Sequence, residues 1–356
     1  MTVDLEDLGW GSFFAKSFAS AQIDNVIPAR VVIQHKTNYT VTTQNGDFRA
    51  TIAGKLRFAA LNLSDLPAVG DWLIFRPNPG EPSGTILAVL PRKSKFSRQT
   101  AGREEEEQVV AANVDVVFLV SALDQTFSLR RLERYLVLSA TSGARPIIVL
   151  NKADLCTSLE DTFIDVQKFA GGVPIHITNA KRNEGVQDLL GYLGLGITGA
   201  ALGSSGVGKS TIVNCLLGRE KLKTREVRKY DNKGFHTTSH RELVMLPSGG
   251  LLIDTPGMRE LQLWEGEEGV EETFDDVEQL ATQCRFRNCR HDTEPGCAVR
   301  QALDDGRLDA GRLRNYQKLQ REVDYESRQY DKRAQAEHKE KVKKSTSAQK
   351  RGYKKP

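Results

Sequence analysis

Eight consecutive residues, Gly203-Ser204-Ser205-Gly206-Val207-Gly208-Lys209-Ser210, match GxxxxGK[ST] between an apolar run and the helix-forming run Ser210–Leu217. Glycines there let successive backbone N–H groups turn onto phosphate oxygens. Lys209 would reach the β- and γ-phosphates and the Ser210 hydroxyl would ligate Mg2+, with Thr211 beside it among the nucleotide contacts. A chance match in a Gly/Ser loop is the alternative, and the strand-before, helix-after context argues against it. Asn151-Lys152-Ala153-Asp154, directly after Ile147–Leu150, chooses the base. A carboxylate at Asp154 can accept from both N1–H and the exocyclic amine of guanine, and adenine offers neither in that arrangement. Thr178-Asn179-Ala180-Lys181 is placed to present the Ala180 backbone to guanine, although taken alone it is an ordinary loop.

Asp254-Thr255-Pro256-Gly257 follows the apolar run Leu251–Ile253. Asp254 would hold the Mg2+ shell through water, and the Gly257 N–H would sense the γ-phosphate. Between the two phosphate motifs, Gly234-Phe235-His236-Thr237-Thr238-Ser239 can close on Mg2+ through a threonine, Thr238 in preference to Thr237. Ras-type GTPases follow DxxG with a water-orienting Gln, where this chain has Met258. Intrinsic hydrolysis is therefore expected to be slow, whether or not Met258 also packs the switch. His236 is the nearest candidate to position water, against the alternative of an incidental loop histidine.

Cys284, Cys289, His291 and Cys297 form C-x4-C-x-H-x5-C. Three thiolates and an imidazole satisfy a closed tetrahedral zinc site with no position left for water, so the metal would fold the segment and do no chemistry. Reduced, unliganded cysteines are the alternative. Arg285, Arg287, Arg290 and Arg300 around the cluster suit a surface that faces nucleic acid. Cys156 and Cys215 read as small packing residues. An odd cysteine count of 5 with three crowded together points to a reducing, cytoplasmic setting.

The elements that must position these groups fall into segments. At roughly 150 residues per domain, 356 residues predict two or three domains. After a leader over 1–29, short runs at Arg30–Gln34, Tyr39–Thr43, Phe48–Ile52, Trp72–Phe75 and Thr85–Val89 predict a five-stranded OB-type barrel over 30–98, with a hairpin at Asn45-Gly46. Arg92, Lys93, Lys95 and Arg98 at its exit raise the expectation of RNA binding over a purely structural barrel. Arg103–Gln108 reads as a solvated linker. Over 99–265 continuous apolar strands alternate with helices, at Val114–Val120, Leu129–Ser139, Ile147–Leu150, Val173–Ile177, Gly196–Leu202 and Leu251–Ile253, which predicts a parallel sheet covered on both faces. A helical zinc-binding module over 266–314 and a basic, helical to frayed tail over 315–356 complete the chain. No apolar run of spanning length and no signal-like N-terminus occur, so neither a membrane partner nor export is expected.

The net charge of +4 hides an asymmetry: 15 Lys/Arg against 6 Asp/Glu from Arg312 to Pro356, and 10 against 4 from Arg30 to Arg98. The centre is correspondingly acidic. Such a distribution suits a polyanion touched at both ends, or simply a solvated surface. The stretch Lys339–Lys355 reads either as a salt-sensitive RNA-seeking arm or as a solubilising tail.

Motif order carries further information. Conventional GTPases run P-loop, switch threonine, DxxG, NKxD; here NKAD precedes the P-loop, the mark of a circular permutation, which a domain with neighbouring termini tolerates. With its barrel, permuted motifs and the segment CRFRNCRHDTEPGCAV, the chain resembles the circularly permuted, ribosome small subunit-dependent GTPases (the RsgA or YjeQ family) over nearly its whole length. The resemblance implies a GTPase of late 30S maturation, stimulated by the 30S subunit, whose barrel and zinc module contact 16S rRNA and whose departure follows hydrolysis to GDP. It supports a catalytic role for His236 and implies one structural zinc. A monomer is the expected state. Two other classes stay in view: an RNA-binding assembly protein in which hydrolysis is incidental, and a P-loop metabolic kinase, against which NKAD speaks.

Overall fold

The computed structural model describes residues 3–35, 37–60, 62–99, 107–218, 241–254 and 267–328. The chain divides into two compact units, Met1–Gln262 and Leu263–Pro356.

The first unit opens with α1 (Ser12–Ser20), inside the segment read as a leader. Its Phe14 is buried, and Trp10 just ahead of it meets Trp72 edge-on with ring centroids 4.7 Å apart. Five strands follow: β1 (Ile27–Gln34), β2 (Tyr39–Thr43), β3 (Gly46–Ile52), then helix α2 (Gly54–Ala59), β4 (Trp72–Pro77) and β5 (Ser83–Val89). They pair in the order β1-β2-β3-β5-β4, and β4 returns to β1, closing the barrel the spacing predicts. Alternation sends Val31, Val41, Ala50, Phe75 and Ile86 inward. At the barrel's base Gly70 takes φ 93, and a Cβ there would lie 2.1 Å from the Ala112 carbonyl, so only glycine fits.

A two-stranded ribbon, β6 (Lys95–Gln99) with β7 (Glu107–Ala112), leads out of the barrel. Glu107 and Gln108 thus belong to a strand and not to the expected linker, because β7 has β6 to pair with. The exit cations are also committed internally. Arg92 donates to both carboxylate oxygens of fully buried Asp71, at 2.8 and 2.7 Å, and to the carbonyls of Ser64 and Leu66. Lys93 lies over the Phe14 ring at 4.8 Å, Lys95 pairs with Glu107 at 3.1 Å, and Arg98 donates to Gln108. Charge is legible in a sequence, but its pairing is not, and here the partners are supplied by folding.

The remainder of this unit is β8 (Val116–Ala122), α3 (Leu129–Ser142), β9 (Arg145–Asn151), α4 (Leu159–Phe169), β10 (Ile175–Ile177), β11 (Thr198–Leu202), α5 (Lys209–Leu217), β12 (Arg241–Met245) and β13 (Leu251–Asp254). The strands stand in the order β10-β9-β8-β11-β13-β12, all parallel except β12, a strand the apolar-run reading did not foresee. Every residue of β8 is buried, as a strand covered on both faces requires. Phe118, Val120, Ile147 and Val149 pack with Ile212, Val213 and Leu216 of α5. Ser128 caps α3 by accepting from the Arg131 N–H, and Gly143 closes it in the left-handed conformation.

The two sheets are one. β1 pairs antiparallel with β12 through Ile33↔Glu242 and Gln34↔Arg241, so the barrel covers the edge strand of the α/β sheet. Arg241 donates to the side-chain oxygens of Gln34 at 3.0 Å and Gln108 at 3.3 Å. A second fastening is Arg30, fully buried on β1. Its guanidinium donates to the carbonyls of Leu8, Gly70 and Asn113 and to Thr198 Oγ1 at 2.9 Å, and it lies against the Trp72 ring. Burial lowers its pKa to about 10, opposed by Asp115 and Asp71. We expect Arg30→Met to cost about 3 kcal/mol, because it leaves the buried carbonyls of Leu8 and Asn113 without their donor, whereas the Gly70 carbonyl keeps the Asn113 side-chain amide. Urea unfolding of the full chain checks this, and a loss below about 0.5 kcal/mol would show the contacts to be dispensable.

The second unit holds α6 (Glu267–Thr273), α7 (Asp275–Ala281), α8 (Ala298–Asp304) and a helix α9 over 310–328. Phe274, Val277, Val299, Tyr316 and Leu319 form its core. Arg312 grips Asp276 through two hydrogen bonds of 2.7 and 2.6 Å while stacking on Phe274 at 4.6 Å. No described helix is long and apolar enough to cross a membrane.

Candidate nucleotide site and metal centre

Parallel strands present their C-terminal ends on one edge, where the loops after β8, β9, β10 and β11 gather. The loop after β11 turns at Gly206 (φ 81) and Gly208 (φ 101) into the first turn of α5. A Cβ on Gly208 would sit 2.2 Å from Asn151 Nδ2, so glycine is required both for the backbone angle and for the neighbour. Lys209 folds back over the loop, its Nζ 2.6 and 2.8 Å from the carbonyls of Gly203 and Ser204. Ser205 and Gly206 are exposed at the rim, and Ser210 and Thr211 lie partly buried in the first turn of α5.

Asn151, almost wholly buried, joins three of these loops. Its Nδ2 donates to the Val207 carbonyl at 2.8 Å, while its Oδ1 accepts from Thr178 Oγ1 at 3.1 Å and from the Ala180 N–H at 3.0 Å. Lys152, at φ 60, sends its ammonium to Asp124 at 2.8 Å and so ties in the loop after β8. Burial raises the Asp124 pKa, but the hydrogen bonds from Lys152 and Thr126 outweigh it and hold the carboxyl at about 2. Ala153 begins a single 3-10 turn that carries Asp154, whose carboxylate is exposed and has no partner among the described residues. Asn179 bridges to Glu184 and accepts from the Arg182 N–H, which shapes its own turn; Lys181 is exposed. The Ala180 N–H is thus committed to Asn151, and Asn179 to its loop, while the Asp154 carboxylate beside the gathered loops has no partner among the described residues.

Several groups at the site carry no sequence signal. Asp124 holds Lys152, and Arg131 donates to Ser204 Oγ at 3.3 Å and to the Thr126 carbonyl, joining α3 to the P-loop. Cys215 donates to the Ala180 carbonyl at 3.3 Å, so it fastens α5 to the loop after β10 beyond simply packing. The backbone of Asp254 ends β13 opposite Glu242 of β12. His236, Thr237, Thr238, Gly257 and Met258 lie outside the described residues.

In the second unit Cys284, Cys289, His291 and Cys297 bring their donor atoms within 4.8 Å of one another. Zinc–sulfur and zinc–nitrogen bonds at a tetrahedral ion imply S···S near ~3.8 Å and S···N near ~3.6 Å. Cys284 and Cys297 Sγ are 3.9 Å apart, and each lies 3.6 or 3.5 Å from His291 Nδ1. The donor set therefore fits zinc. His291 adopts φ 58 to reach the cluster, its carbonyl accepts from Gln317, and burial lowers its pKa, which keeps the imidazole neutral and able to ligate. Burial opposes the Cys284 thiolate, but backbone N–H groups of Val299 and Ala298 at the start of α8 hold its pKa below the ordinary thiol value.

The family model described as RsgA GTPase matches residues 89–264. The small ribosomal subunit biogenesis GTPase RsgA of Opitutus terrae is 46% identical over 92% of this chain and 92% of its own length. RsgA 1 of Oceanobacillus iheyensis is 43% identical over 93% of this chain and 94% of its own. The crystal structure of YjeQ from Thermotoga maritima superposes with a TM-score of 0.61 at 29% identity, covering 84% of this chain and 98% of that one. YloQ, a circularly permuted GTPase, gives 0.59 at 25% identity, over 85% of this chain and 96% of its own.

Proposed function

The chain belongs to the RsgA GTPase family, and from that premise we infer that it hydrolyses GTP in the maturation of the 30S ribosomal subunit, with the subunit as activator and 16S rRNA as its contact. The observation that carries the reading is the bond from Asn151 Nδ2 to the Val207 carbonyl, which unites an NKAD loop and a P-loop that occur in inverted order along the chain.

The residues divide the work as follows. Backbone N–H groups from Gly203 to Ser210, with Lys209, hold the β- and γ-phosphates of GTP; the Asp154 carboxylate accepts from guanine; Asn151, Lys152, Ala153, Asn179, Ala180 and Lys181 shape the base pocket, and Thr211 supports the phosphates. Ser210, Thr238 and Asp254 would hold Mg2+, which when bound would supply charge neutralisation at the transferring phosphoryl group. Gly257 senses the γ-phosphate and His236 orients water, which makes turnover depend on ordering of the switch. The shared β1–β12 sheet supports such coupling, since β12 directly follows the switch segment and is bonded to the barrel. One zinc in the Cys284, Cys289, His291, Cys297 cluster is structural. The protein acts as a cytoplasmic monomer.

Met258 favours a second reading, in which hydrolysis is incidental to an assembly protein. GTP turnover of the zinc-loaded chain, alone and with 30S or 50S subunits, separates the two. Acceleration by 30S alone is expected. Unchanged turnover with nucleotide-dependent 30S binding would transfer the case to the second reading.

A further inference from the structure

We propose that the short helix α2 is a stacking platform for an unpaired RNA base, with Phe58 as the platform and Lys55, Arg57 and Arg49 as the phosphate clamp; this rests on the RNA-contacting reading of the barrel. Phe58 is 93% exposed, far beyond the next large apolar side chain among the described residues, Leu195 at 65%. It has no packing function to explain it: Leu56 is the residue α2 turns partly inward, and the Ala53 N–H at the helix start bonds the Ile86 carbonyl of β5. A phenylalanine left in water forfeits the stabilisation its burial would bring unless a partner covers it.

The surroundings identify the partner by charge. Lys55 and Arg57 are exposed on the same helix, which carries no acidic residue, and neither has an ion-pair partner among the described residues. Asp47, Arg49 and Thr51 form the outward row of β3 that runs directly into α2; Asp47, at the far end of the row, accepts from the Thr42 hydroxyl at 2.6 Å. This separates α2 from the barrel's exit, where Arg92, Lys93 and Lys95 are already engaged. A flat, exposed aromatic ring among unpaired cations suits a nucleobase with its flanking phosphates, since every base offers a π-face and every linkage a negative charge. Double-stranded RNA does not expose base faces, so the platform selects single-stranded or unstacked positions. The helix itself lies between β3 and β4 in the chain and belongs to neither of the loops by which OB barrels ordinarily bind, while Arg49 extends the clamp onto the β2–β3 face.

The test titrates the full, zinc-loaded chain into a fluorescein-labelled single-stranded oligoadenylate and into an RNA duplex of equal length, following anisotropy. Phe58→Ala is expected to weaken oligoadenylate binding about tenfold and to leave its salt dependence and the basal GTP turnover unchanged. Phe58→Trp restores affinity, and its emission is quenched as a base stacks. Lys55→Gln with Arg57→Gln flattens the salt dependence instead. If Phe58→Ala binds as the native chain does, while 30S subunits still stimulate turnover, the platform is wrong and the functional reading stands. If the native chain binds neither the oligonucleotide nor 30S, both fall. Self-association of the native chain abolished by Phe58→Ala, without an RNA effect, would assign the ring to a second copy and overturn the proposal.

Discussion

Replacing Asn151 by alanine is expected to lower guanine-nucleotide affinity by about 10²- to 10³-fold without unfolding the chain. The side chain has no freedom to be replaced: its one amide satisfies the Val207 carbonyl, the Thr178 hydroxyl and the Ala180 N–H together. Each buried group left without a partner costs about 1–3 kcal/mol, and every ~1.4 kcal/mol is a factor of ten in binding. Part of that loss is borne by the free protein as looser loops. The remainder appears as the cost of reassembling phosphate and base pockets around the ligand. The hydrophobic core beneath, built on Phe118, Ile147 and Ile212, does not depend on Asn151. Titration of a fluorescent GDP analogue reads the affinity, and far-UV circular dichroism verifies the fold. A variant binding within about threefold of the native chain would show that the loops are held by other contacts. Asp154→Asn is the informative companion. Its carboxylate supports no neighbouring loop, so the substitution should weaken guanine recognition while leaving the P-loop intact, and xanthine, whose 2-oxo group can accept from the new amide, should be preferred over guanine.

The second large effect is expected at the metal centre. Cys297 is both a donor of the cluster and the residue that opens α8, its sulfur accepting from the Arg300 N–H at 3.4 Å. Serine there removes one of the four ligands and the sulfur that accepts from the first turn of α8. Because structural zinc is worth about 10–16 kcal/mol in small metal-folded segments at neutral pH, a site that loses a ligand loses most of the reason for its loop to order. The core available to replace it, Phe274, Val277, Val299 and Tyr316, is small. Cys297→Ser should therefore purify with far less than one zinc equivalent, and its second unit should lose hydrogen-exchange protection over 267–328. GDP affinity should stay near native, since the nucleotide loops belong to the other unit. Cys156→Ser, at a thiol in contact with the Thr162 hydroxyl, should keep its zinc. Full zinc occupancy and native protection in Cys297→Ser would refute the assignment.

What the sequence determined was everything encoded by local spacing. A P-loop, an NKxD box and a Cys3His cluster each owe their chemistry to residues within a few positions of one another, where backbone geometry leaves little choice, so their types and offsets were enough. The barrel strands were legible for the same reason: alternation and turn residues act over single hairpins. Even the inverted motif order was a linear fact. Tertiary structure alone decided which groups satisfy one another. That Arg92 pairs with Asp71, that Asn151 holds Val207 and Ala180, that Arg30 fastens the N-terminal segment to β11, and that β12 seals against β1, are pairings between residues far apart along the chain. Such contacts are set by how the packed core brings segments together, and a buried polar group takes whichever partner that packing supplies.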